Sequence, residues 1–67
     1  MSYPKLRGAI REKFGTQAAF AKALDMHPVT LSNKLAGRVD WTMTEVEAAA
    51  KLLDIPQAEA FNYFFTR

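Results

Sequence analysis

The 67 residues predict an all-α protein of five short helices in a single domain, and three observations carry that reading. Every long apolar periodicity recurs at three or four residues, and no stretch alternates as a half-buried strand does. Helix-start signals stand at Thr16, at His27-Pro28 and at Thr42. Cysteine is absent, so neither a disulfide framework nor a thiolate metal site can hold the fold, and packing must do so. A chain of this length buries only about 60% of its unfolded surface, which makes one compact helical core the economical solution.

The first helix is expected over Pro4 to Phe14, where Leu6, Ile10 and Phe14 recur every four residues. Proline suits its first turn and Gly15 its stop. Gly8 inside it costs about 1 kcal/mol relative to alanine, which calls for close packing or simple tolerance. Thr16 caps a second helix, Gln17 to Leu24, with Phe20, Ala21 and Leu24 on its apolar face. After Asp25 and Met26, Pro28 starts a third helix that runs to about Ala36 and is closed by Gly37. Thr42 opens the fourth: it forms a capping box with Glu45, and Trp41 and Val46 occupy the two positions of a hydrophobic staple. Met43, Val46, Ala49, Ala50 and Leu53 then form a core-facing stripe about 120° wide. Asp54, Ile55 and Pro56 break this helix before a short fifth one, about Gln57 to Asn62.

The formal charge of +2 is uneven along the chain. From Met1 to Trp41, seven basic residues (Lys5, Arg7, Arg11, Lys13, Lys22, Lys34, Arg38) face three acidic ones (Glu12, Asp25, Asp40), a balance of +4. From Thr42 onward, two (Lys51, Arg67) face four (Glu45, Glu47, Asp54, Glu59), a balance of −2. The basic first part points to an anionic partner. No apolar run approaches the roughly 20 residues of a membrane span, and Met1 to Phe14 carries charges throughout, which points to a cytoplasmic protein.

Thr16 to Gly37 forms one unit: two short helices joined by a tight turn, which must cross steeply and leave the second projecting. With Leu31 at 0° on a helical wheel, Leu35 falls near 40°, Val29 near 160° and Asn33 near 200°, at about 100° per residue. Val29 and Asn33 therefore face away from the core. Pro28, Val29, Ser32 and Asn33 at the start of a projecting helix suit a DNA major groove, because asparagine can bond bidentately to adenine and a valine methyl can meet the thymine methyl. Lys34 and Arg38 can neutralise phosphates, and Gln17, at the start of the second helix, can donate to the backbone.

The run Thr16-Gln17-x-x-Phe20-Ala21-x-x-Leu24-x-Met26, continued by Thr30-Leu31-Ser32-Asn33-Lys34-Leu35-x-Gly37, resembles the helix-turn-helix of the lambda-repressor-like family, which includes phage repressors and Cro proteins. The likeness continues through Asp40-Trp41 to the Tyr63-Phe64-Phe65 ending. It implies a five-helix DNA-binding domain, most similar to small Cro-like phage or prophage repressors, whose third helix reads a two-fold operator as a homodimer. Carried over by position, the base contacts implied are His27, Pro28, Val29 and Asn33, with Ser32 beside them, and Gln17 contacts the backbone. Three positions depart from the family pattern. Asp25 replaces a turn glycine, Pro28 cannot make the polar base contact common there, and Lys34 stands where the residue is usually apolar.

Nothing in the sequence points to catalysis. Ser32, His27 and Asp25 lie close together without a glycine-rich elbow, and the three glycines stand alone, so no enzyme, cofactor or metal is implied. Phe61, Tyr63, Phe64 and Phe65 crowd the C-terminal end, and at least one should stay at the surface. Phe61 and Phe64 can close the core beneath the fourth helix, while members of the cluster supply a dimer contact. The competing reading is a protein-interaction module, antirepressor-like or antitoxin-like, that holds a partner through this cluster.

Overall fold

The computed structural model describes residues 2–65, and Arg67, counted above, lies outside them. The described residues form five α-helices and no strand: α1 (Pro4–Phe14), α2 (Gln17–Ala23), α3 (Pro28–Leu35), α4 (Met43–Leu52) and α5 (Ala60–Phe64). A single 3₁₀ turn, Gln57–Glu59, leads into α5, so the segment expected as one helix over about 57–62 starts tight and runs two residues further. No helix among the described residues is long and apolar enough to cross a membrane.

Local signals place the boundaries. The Thr16 hydroxyl accepts from the Ala19 N–H at 3.1 Å and caps α2. Thr42 and Glu45 complete a reciprocal capping box: the Glu45 N–H donates to Thr42 Oγ1 at 3.2 Å, and the Thr42 N–H to Glu45 Oε1 at 2.9 Å. Pro4 and Pro28 each stand in a first turn.

Three helices end in the same paired-hydrogen-bond motif. After α2, Met26 N–H donates to Ala21 and Asp25 N–H to Lys22; after α3, Arg38 to Asn33 and Gly37 to Lys34; after α4, Ile55 to Ala50 and Asp54 to Lys51. Each motif needs one residue of positive φ, supplied by Asp25 (57°), Gly37 (82°) and Asp54 (55°). Aspartate tolerates this region better than most residues, which explains how Asp25 serves in the α2–α3 turn.

α1 packs on α2 and α5, α2 on α3, and α4 on α5. Leu6, Ile10, Phe20, Leu31, Leu35 and Phe64 are the largest fully buried side chains. Phe14 is only half-buried, and its ring lies 5.2 Å from that of Phe20. The staple pair is buried, Trp41 at 7% and Val46 at 3% exposure. Gly8 is exposed, and a Cβ placed there would meet nothing within 4 Å, so close packing does not explain it.

One expected core residue lies outside. Met43 is 57% exposed. It is the first residue of α4, where the stripe runs past the end of the core.

Candidate functional site

The α2–turn–α3 unit exposes a mixed surface. Leu31 and Leu35 are fully buried, while His27, Pro28, Val29, Thr30 and Ser32 are exposed and Asn33 is half-buried. The helical wheel's outward placement holds for Val29, whereas Asn33, placed opposite the buried leucines, is half-buried. Gln17 is exposed in the first turn of α2. His27 is the N-cap of α3, and its Nδ1 accepts the Val29 N–H at 3.2 Å. Arg38 reaches back along α3, and its Nη1 donates to Asn33 Oδ1 at 3.3 Å. The main chain prepares that contact, because the Arg38 N–H already donates to the Asn33 carbonyl at 3.0 Å.

Lys34 is not a surface cation. It is 4% exposed, and its Nζ lies 2.9 Å from Glu45 Oε1 and donates to the Asp40 carbonyl at 2.9 Å. The ammonium also sits 5.9 Å from the centre of the Trp41 ring. Its expected role as a phosphate contact is therefore corrected: the residue ties the last turn of α3 to the first turn of α4. The wheel contained the signal. Lys34 falls about 60° from Leu31, on the inner side, at 100° per residue.

Burial raises the Glu45 carboxyl, but the hydrogen bond from the Thr42 main chain and the Lys34 ammonium more than offset this. Its pKa lies below the ordinary glutamate value.

Arg7 is a second inward cation, missed in the sequence because it carries no pattern of its own. Its Nε donates to the Ser2 carbonyl at 2.6 Å, and its Nη2 to the Leu35 carbonyl at 2.8 Å, at the end of α3. Elsewhere, Lys13 pairs with Asp54, and Lys5 lies 5.1 Å from the centre of the Tyr63 ring.

The C-terminal aromatics divide. Phe64 is 1% exposed and meets Trp41 edge-on at 5.1 Å, so it belongs to the core and is removed from the expected dimer contacts. Phe61 does not close the core. It is 63% exposed and packs at 5.0 Å on Phe65, itself 51% exposed. Tyr63 is half-buried. Phe61 and Phe65 line an open groove of about 400 Å³ with Met43, Val46, Ala50 and Ile55.

Over residues 1–67 the sequence matches the family model described as "Protein of unknown function (DUF739)". The chain belongs to the DUF739 family. Among solved structures, this DUF739 chain is similar to the solution structure of the modulator of repression of the temperate bacteriophage TP901-1 from Lactococcus lactis. The two share 38% identity with a TM-score of 0.85, over 96% of this chain and 86% of that one. A comparison with curated proteins found no match.

Proposed function

We propose that this DUF739 protein is a phage-type regulator of repression that binds duplex DNA, with α2 and α3 acting as a helix-turn-helix and α3 entering the major groove. The observation that carries the reading is the outer face of α3. Val29, Ser32 and Asn33 are presented there, backed by buried Leu31 and Leu35 and flanked by Arg38. These residue types suit base edges and phosphate together. The similarity to a phage modulator of repression supports a place in the same kind of control. In this reading, Gln17 and Arg38 contact the phosphate backbone, His27, Pro28, Val29, Ser32 and Asn33 face the bases, and covering a promoter represses it.

Selection from random-sequence duplexes, followed by anisotropy titration, tests the proposal. An enriched two-fold motif is expected, with half-sites about 34 Å apart. Asn33→Ala should cost about 1–3 kcal/mol on the enriched duplex and little on a random one. No enrichment at low salt would remove DNA as the partner.

The groove between α4 and α5 supports a second component, the pairing of two copies. Its centre is apolar, and Glu47 and Lys51 also line it, four residues apart on α4. A two-fold contact needs a self-complementary surface, and this arrangement lets each copy set Glu47 against Lys51 of the other. Sedimentation of the wild type should show a dimer, and Phe61→Ser with Phe65→Ser a folded monomer. A wild type that sediments as a monomer and still binds the enriched duplex would remove the groove from dimer formation and leave a different protein as its occupant.

A further inference from the structure

We infer that the Asn33–Arg38 pair makes the outer face of α3 a hydrogen-bond donor surface that selects guanine over adenine. The inference rests on the reading of α3 as the helix that enters the major groove, and it names the bases that helix prefers.

An asparagine that reads adenine must accept from N6 and donate to N7, using both ends of its amide. In this protein the accepting end is engaged. Arg38 Nη1 lies 3.3 Å from Asn33 Oδ1, and a guanidinium can only donate, so the amide cannot be turned to face Arg38 with its nitrogen. A second lone pair remains on Oδ1. The guanidinium nevertheless puts positive charge where the adenine amino hydrogens would have to approach.

What the pair leaves to donate toward a base is the Asn33 Nδ2 hydrogens, while the guanidinium's other N–H groups remain for a phosphate oxygen. Guanine offers N7 and O6, two acceptors side by side, and fits that set. His27 adds to the same character. Its Nδ1 accepts the Val29 N–H, so the imidazole proton is on Nε2, which is a donor. Ser32, also exposed, has a hydroxyl that serves either way and does not counter the bias.

The pairing is built in by the helix end. Gly37, at φ 82°, lets the chain reverse so that the Arg38 N–H meets the Asn33 carbonyl, which brings the two side chains together.

The test compares wild type with Arg38→Met, which keeps an unbranched side chain and leaves Asn33 Oδ1 free. Both proteins are taken through selection from random-sequence duplexes. The base pair in question is located as the one at which Asn33→Ala loses discrimination. Wild type should carry guanine there, with about a tenfold preference over adenine in competition anisotropy. Replacing that guanine by 7-deazaguanine, which lacks the N7 acceptor, should remove most of the preference. Arg38→Met should bind more weakly overall and shift toward adenine at that pair. Adenine enriched by the wild type, or an unchanged guanine preference in Arg38→Met, overturns the inference while DNA binding itself stands. Absence of any enriched duplex overturns the DNA-binding reading, and this inference with it.

Discussion

Phe64→Ala should cost about 4 kcal/mol of folding stability, within the range measured for buried phenylalanines. The side chain is 1% exposed, and its ring meets Trp41 edge-on, so truncation leaves a cavity and removes an aromatic pair. A domain of 67 residues is stable by only about 3–10 kcal/mol. The loss should lower the melting temperature by roughly 20 °C and leave much of the chain unfolded at body temperature. The contrast lies one residue further along the chain. Phe65→Ala, at a residue 51% exposed, should change stability by about 0.5 kcal/mol or less. Thermal melts followed by circular dichroism give both values, and comparable losses for the two variants would contradict the division of the aromatic cluster.

The second large effect is at Lys34. Lys34→Ala removes the ammonium that Glu45 and the Asp40 carbonyl share, and leaves both acceptors at the α3–α4 junction without it. Breaking a fully buried ion pair costs about 3–5 kcal/mol, but the Glu45 side chain is 27% exposed, so about 2 kcal/mol is expected. Lys34→Met, which restores the apolar volume, should recover part of the loss.

The pair also has a pH signature. The Glu45 carboxyl has a lowered pKa in the folded state, so its contribution is fully present above the unfolded glutamate value, about 4.3, and is lost as pH falls through the folded value. Urea midpoints should therefore drop on acidification below about pH 4.3, and Glu45→Gln should flatten that part of the curve. A Glu45→Gln curve parallel to wild type through this range would show that the carboxyl does not titrate as described.

Features set within a few residues were legible in the sequence. The Thr16 and Thr42 caps, the Pro4 and Pro28 starts and the Gly15 and Gly37 stops depend on hydrogen bonds and dihedral limits inside one turn, and each is found where local chemistry places it. The outward turn of Val29 followed from helical period alone. The errors concern side chains whose surroundings come from another helix. Lys34 looked like a surface cation because lysine usually is one, and its acceptors lie six and eleven residues away. Met43 fits an apolar stripe, but whether a stripe meets a partner at its ends depends on how long the facing helix is. The choice of Phe64 over Phe61 for the core depended on the start of α5. The tight turn at Gln57–Glu59 shifts the wheel so that Ala60 and Phe64 point inward and Phe61 and Phe65 outward.

The inward turn of Arg7 and Lys34 bears on how the protein would respond to ionic strength. A cation held on a main-chain carbonyl inside the protein displaces no ions from a nucleic acid. Lys13 is paired with Asp54 and Lys5 lies on Tyr63, although both are exposed; the exposed cations on α1, α2 and the end of α3 that sit on neither a carboxylate nor a ring are Arg11, Lys22 and Arg38. If each meets one phosphate, log K should fall with log salt at a slope of only about −3 per chain. Association would then be shallowly salt-dependent, and most of the discrimination between sites would come from the short-range fit of α3, which added salt does not screen.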